Sequence, residues 1–133
     1  MLHLHSISFV RAFVRVFKTA WFARAARKAR IDDRALCAAA NEINVGQSSD
    51  LGGGVAKKRL NRNLYRGIVL AKGGRILVFV YLYAKNDRTN IGTDELSRFR
   101  DHAKEYEQLT NRQLTRLLDG GDLNEICSEA AKV

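Results

Sequence analysis

Lys57, Arg59 and Arg66 are the side chains of this sequence whose types and spacing suit chemistry on a polyanion. They lie in Val55–Asn90, where nine Lys or Arg residues stand against a single acid, Asp87. Successive side chains of a strand point to opposite faces, so Lys57 and Arg59 share one face and Lys58 takes the other. Over Leu64–Ala71 the same alternation puts Arg66 with Leu64, Ile68 and Leu70, and Tyr65 opposite. Such a set can cleave RNA, because RNA supplies its own nucleophile, the 2′-OH. The protein must align that group with the phosphate, stabilise the developing dianion with guanidinium groups and move a proton. A lysine crowded by cations has its pKa pulled down for the last task, and Lys57 stands beside Lys58 and Arg59. Phosphate binding without catalysis uses the same residues, and composition leaves both open.

The elements that must position these residues follow from periodicity and turn chemistry. Ile76–Tyr83 (ILVFVYLY) is apolar on both faces and predicts a central, covered strand. Lys72-Gly73-Gly74-Arg75 predicts a two-residue hairpin loop with glycines at φ > 0. Upstream, a first strand is expected over about Val14–Lys18. Thr19 then caps a helix over about Ala20–Arg30, with Trp21, Phe22, Ala25, Ala26 and Ala29 on its apolar face. The other face of that helix carries Arg24, Arg27, Lys28 and Arg30, either simply solvated or in contact with the ligand. Asp32 or Asp33 starts a second helix with the stripe Leu36, Ala39, Ala40 and Ile43, ending at Gly46. Together the two helices can cover one sheet face. Gln47–Gly54 (QSSDLGGG) reads as a loop and fits neither the Walker pattern nor GxGxxG. A third helix over about Asp94–Leu109 buries Leu96, Phe99, Ala103 and Tyr106. Thr110 and Gln113 form a capping box for a short helix ended by Gly120-Gly121, and a last turn is expected around Leu123 and Ile126.

At 133 residues the chain holds one domain, with residues 1–15 an N-terminal extension and 16–133 the domain itself. The net charge of +9 attracts an acidic partner. That charge is uneven: residues 1–90 carry 17 basic and 5 acidic side chains, residues 91–133 carry 6 and 9. His3, His5 and His102 fall outside the basic segment, so a two-histidine ribonuclease or a Ser-His-Asp hydrolase lacks its base. Acids are too scarce there for a carboxylate-held Mg²⁺, and Cys37 and Cys127, 90 residues apart, do not form a zinc pattern. Each cysteine reads as a separate buried thiol, which suits a reducing cytoplasm. Arg11 and Arg15 interrupt the apolar run at the N-terminus, so no signal peptide or membrane span is expected. No metal and no cofactor are expected.

Three linked segments carry a family resemblance: FKTAWFARAARKARI at Phe17–Ile31, DLGGGVAKKRLNR at Asp50–Arg62 and VFVYLYAKNDRTNI at Val78–Ile91. Over roughly Val16–Ile126 the chain resembles RelE-type toxins of bacterial toxin–antitoxin modules, in particular the HigB-like branch. The resemblance implies an α+β, microbial-ribonuclease-like fold: a mostly antiparallel four-stranded sheet, two N-terminal helices and a C-terminal helix. It implies ribosome-dependent, metal-free cleavage of mRNA in the cytoplasm, inhibited by a cognate antitoxin in a hetero-oligomer. Lys57 and Arg59 align with two catalytic basic residues of the family, and Arg66 with the arginine that opens the next strand. Lys58, Arg62, Tyr65, Lys85, Asn86 and Arg88 complete the set expected to bind RNA or phosphate. Two family residues are replaced. An arginine falls on Asn86, leaving Lys85 or Arg88 to substitute, and a C-terminal tyrosine falls near Gly92, leaving Tyr81, Tyr83 or Tyr106. These losses motivate a different reading, a non-catalytic basic module that represses its operon together with its antitoxin.

Overall fold

The computed structural model describes residues 14–127. Along them run β1 (Arg15–Thr19), α1 (Ala20–Lys28), α2 (Asp33–Asn44), β2 (Ser49–Gly52), β3 (Val55–Leu60), β4 (Tyr65–Leu70), β5 (Ile76–Ala84), α3 (Thr93–Glu107), α4 (Asn111–Asp119) and β6 (Leu123–Ile126). Local chemistry starts the helices where expected. Thr19 Oγ1 accepts the Phe22 N–H, Asp32 Oδ1 accepts that of Ala35, and Thr110 and Gln113 cap each other reciprocally.

The fold is α+β, but among the described residues its sheet has six strands in the order β2-β3-β4-β5-β1-β6, where four were expected. The pair β1–β5 is parallel and the other pairs are antiparallel. Both additional strands come from segments read otherwise. Ser49–Gly52, expected as loop, pairs with the edge of β3. Leu123–Ile126, expected as a helical turn, pairs with β1. Its three-residue apolar spacing looked helical. In a strand, that spacing sends Leu123 and Ile126 to opposite faces, and both faces are covered.

One face lies under α1 and α2, where Phe22, Ala26, Leu36, Ala39 and Ala40 pack on Val16, Leu60, Val69, Leu77 and Phe79. On the other, α4 packs over Phe17, Val78 and Leu123, and α3 over Val55, Ile68, Leu70 and Tyr83. β5 is central, as its two-sided apolar pattern predicts. Trp21 departs from its expected core position and is 45 % exposed.

The expectation of two separate thiols is overturned: Cys37 on α2 and Cys127, just after β6, form a disulfide with their Cα atoms 5.5 Å apart. Pairing β6 with β1 carries Cys127 to the face that α2 covers, which the helical reading hid. The disulfide removes the premise on which a reducing compartment was inferred. Among the described residues no helix is long and apolar enough to cross a membrane.

The Lys72–Gly74 connection is a short 3₁₀ turn rather than a two-residue hairpin loop, with Gly73 and Gly74 at φ +84° and +73°. In the β2–β3 turn Gly52, Gly53 and Gly54 all have positive φ, and Arg100 of α3 lies over Gly53, donating to the Leu51 and Gly52 carbonyls. A Cβ on Gly53 would stand 2.7 Å from the Arg100 side chain. The glycines therefore make a tight turn that starts at the end of β2 and is closed by an arginine, and its space is already filled.

Candidate nucleic-acid interface

Pairing of β3, β4 and β5 puts the basic residues into register. Arg59 stands opposite Arg66, and Arg66 opposite Tyr83; two pairs further along, on the same face, Lys57 stands opposite Ile68, and Ile68 opposite Tyr81. Lys57, Arg59 and Arg66 thus share the face that α3 covers in part: the register joins the Lys57/Arg59 face of β3 to the Arg66/Ile68 face of β4, each expected within its own strand. Like charges directly opposed across a ladder repel, so the Arg59–Arg66 pair costs stability while the site is empty.

A β-bulge brings the tyrosines to this face. Between Ile68 and Val69 the β4–β5 register shifts, and Val80 is passed over. Strict alternation from Leu77 and Phe79 would carry Tyr81 and Tyr83 under α1. The extra residue turns both to the side of Ile68 and Arg66 instead.

The partners of each cation separate two groups. Lys57 Nζ donates to Asn90 Oδ1 at 2.7 Å, and Arg66 donates to the Asn63 and Tyr65 carbonyls at 3.2 Å. Arg59 is exposed and has no ion pair or side-chain hydrogen bond to the described residues. None of the three meets a carboxylate. Lys58, in contrast, lies on the opposite face with only 11 % of its side chain exposed, paired to Glu42 at 2.8 Å and donating to the Gln47 carbonyl. It braces α2 and its following loop against β3, and it meets Lys57 and Arg59 only at the rim of one hollow. Where β2 begins beside β3, a hollow of about 260 Å³ is lined by Gln47, Ser48, Ser49, Lys57, Lys58 and Arg59.

Arg62 stands at the tip of the β3–β4 hairpin, where Asn61, Arg62 and Asn63 all take φ between +50° and +71°. Lys85 and Asn86 are exposed in the turn after β5. Arg88 closes the row: its guanidinium lies 5.6 Å from the Tyr83 ring centre, it pairs with both oxygens of Glu95, and it donates to the Asn90 carbonyl. The Glu95 hydrogen bond raises the Arg88 pKa and, with the Gly92 N–H, holds the Glu95 carboxyl below the usual range. Burial pushes the Tyr83 hydroxyl up, opposed by the charges of Arg66 and Arg88, and the hydroxyl points at the Thr89 carbonyl at 3.4 Å. Tyr106 is packed between α4 and the sheet, away from these cations, and burial raises its pKa too.

Tyr65, on the far side of β4 from Arg66, lines a cavity of about 510 Å³ with Trp21, Arg24, Lys28, Tyr81, Tyr83 and Arg88. Trp21, Asn90 and Glu95 were not singled out for this site by their sequence context. The one available signal was Trp21 beside Arg24 and Lys28 at helical spacing. His102 is exposed on α3 beside Glu105. Among the described residues no group of three or more His, Cys, Asp or Glu is placed to hold a metal ion.

A family model described as RelE toxin of the RelE/RelB toxin–antitoxin system matches residues 14–126. Comparison with curated proteins and with solved structures gave no match.

Proposed function

The chain belongs to the RelE toxin family of toxin–antitoxin systems, and on that premise we propose that it is a ribosome-dependent mRNA endoribonuclease. The observation that carries this reading is the cross-strand row Arg59–Arg66–Tyr83, with two guanidinium groups opposed and no carboxylate between them. That arrangement is unfavourable alone and favourable around a phosphate. In the proposed reaction the 2′-oxygen attacks phosphorus and the P–O5′ bond breaks, leaving a 2′,3′-cyclic phosphate and a 5′-hydroxyl. Arg59 and Arg66 stabilise the charge gathering on the non-bridging oxygens. Lys57, held by Asn90, exchanges with solvent the proton lost by the 2′-hydroxyl and that gained by the 5′-oxygen. Arg88 takes the part of the family arginine that falls on Asn86, and Tyr83 supplies the tyrosine missing near Gly92. No metal enters this scheme. The ribosome presents the mRNA, and the antitoxin competes for the same basic face.

The test maps 5′ ends of a defined mRNA by primer extension, with and without ribosomes, using wild type and Arg66→Ala. New ends that need ribosomes, recur at fixed codon positions and vanish in the variant are expected. Because Glu95 holds Arg88 and Asn86 carries no charge, a second reading is a non-catalytic module that binds RNA and acts with its antitoxin in operon repression. Ribosome binding with intact mRNA would replace the first reading by this one. In either case, contact with about five phosphates gives a slope of log K against log salt of about −3.5 for single strands.

A further inference from the structure

Helix α1 presents two stripes. Phe22 and Ala26 enter the core, while Trp21, Arg24, Ala25 and Lys28, three and four residues apart, line the cavity of about 510 Å³. The facing wall is the end of β5. Pairing of β5 with β1 stops at Phe79, so beyond it that edge of β5 has no strand neighbour among the described residues. Trp21, the chain's sole tryptophan, is half open, and its ring lies against Tyr81 with centroids 5.1 Å apart and planes 22° apart. Tyr81 in turn approaches Tyr83 and Phe99, each at 6.0 Å. Core packing does not require the exposed indole, since Phe22 already fills the space beneath α1.

We infer that this cavity is a nucleotide subsite in which an unpaired base stacks on Trp21 and Arg24 and Lys28 hold its flanking phosphate. Flat aromatic faces bordered by cations are how single-stranded nucleic acid is held, because every base offers a π face and every linkage a charge. Arg24, Lys28 and Arg88 outnumber the one acid of the lining, Asp87, which is placed to accept a base's amino group. The volume falls within the roughly 300–1,000 Å³ range of small-ligand sites. The subsite rests on the reading of the neighbouring row as an RNA site: Tyr83 belongs to both, so a strand crossing Arg59 and Arg66 continues past it to Trp21.

Because Trp21 is the sole tryptophan, indole emission of the full chain reports this cavity alone. Titration with a short single-stranded oligoribonucleotide is expected to quench it saturably, whereas a duplex of the same sequence is not. Trp21→Ala weakens binding by roughly 5- to 150-fold, the range for one base stacked on an aromatic ring. Lys28→Gln flattens the salt slope by about 0.7. The wild-type titration needs no variant, so it decides even where Trp21→Ala lowers the melting temperature. RNA bound or cleaved with unchanged emission, and equally well by Trp21→Ala, overturns the subsite and leaves the reading of the basic row intact. Quenching without any ribosome-dependent cleavage upholds the subsite while the nuclease reading falls. Quenching by an acidic antitoxin peptide but not by RNA overturns the subsite in favour of a protein partner.

Discussion

Two groups of basic residues on opposite faces of the sheet are held in opposite states. On the side under α1 and α2, Lys58 is paired with Glu42 and Lys18 with Asp33, each at 2.8 Å or less. On the side that α3 covers in part, Lys57 and Arg66 meet only neutral oxygens, and Arg59 meets none among the described residues. Adjacent positions in one strand, Lys57 and Lys58, therefore differ in role because of what stands opposite them. Net charge does not make that distinction. Lys58 and Lys18, each with a carboxylate in reach, serve the fold, whereas Lys57, Arg59 and Arg66, which have none, are left to attract an anion from outside.

The largest test removes the fastening of the covered face. Cys37 and Cys127 close a loop of about 90 residues, and Cys37→Ser with Cys127→Ser should lower unfolding stability by about 4–5 kcal/mol in the chain-entropy description. Denaturant titration with and without reductant checks this. A change below about 1 kcal/mol would mean that α2 and β6 are held by packing alone.

Next in size is a contrast between the faces. Arg59→Gln and Arg66→Ala are each expected to reduce ribosome-dependent cleavage by about 10²–10³-fold, the typical loss for one group that stabilises transition-state charge. Unfolding stability should stay level or rise by a few tenths of a kcal/mol, because an opposed like-charge pair is relieved. Lys58→Ala should do the reverse, lowering stability by about 1–2 kcal/mol and leaving cleavage within a few-fold of wild type. If Lys58→Ala abolished cleavage in a protein still fully folded, the division of the faces would be wrong.

That division was half readable beforehand. Period-two alternation placed Lys57 and Arg59 together with Lys58 apart, and Arg66 with Ile68 on its own strand, and the caps at Thr19, Asp32 and Thr110 follow from side-chain chemistry within three residues. Interactions between distant segments were not readable. The bulge that turns Tyr81 and Tyr83 depends on how β5 meets β4, and alternation within β5 points them the other way. The Cys37–Cys127 bond depends on β6 joining β1, and the spacing of Leu123 and Ile126 suits a helix as well as a doubly covered strand. Trp21 looked like core because Trp, Phe and Ala recur on that helix. Its exposure depends on β1 ending before β5 does.

A smaller effect concerns the hairpin tip. Arg62 holds φ +54° between two asparagines that also have positive φ. Asparagine tolerates that region better than arginine because its short polar side chain can hydrogen-bond to nearby backbone. In either residue the Cβ crowds the following carbonyl, and in glycine nothing does. Arg62→Gly should therefore stabilise the fold by about 1 kcal/mol, by denaturant titration, while making RNA binding less salt-dependent by about 0.7 in slope. Gain in stability with loss of RNA affinity would place the tip with the ligand-seeking cations. Unchanged RNA binding would leave Arg62 outside them.

The smallest effect tests whether the face or the partner decides. Arg15 of β1 lies on the same face as Phe17, well away from Arg59, and grips Glu125 of β6 through two hydrogen bonds of 2.8 and 2.7 Å. If the partner decides, Arg15 behaves like Lys58 although it shares a face with Arg59. Glu125→Gln should then cost a few tenths of a kcal/mol at neutral pH, as a partly exposed pair does, and leave RNA binding unchanged. The Arg15 hydrogen bond holds the Glu125 carboxyl below its ordinary range. The contribution of the pair is therefore complete above the unfolded carboxylate value, about pH 4.3, and disappears as pH falls through the lower folded value. Stability curves of wild type and Glu125→Gln should run parallel from neutral pH to about pH 5 and converge in more acidic solution. Parallel curves throughout would show that the carboxylate charge contributes nothing there, and that this arginine is held by its packing on Phe17 instead.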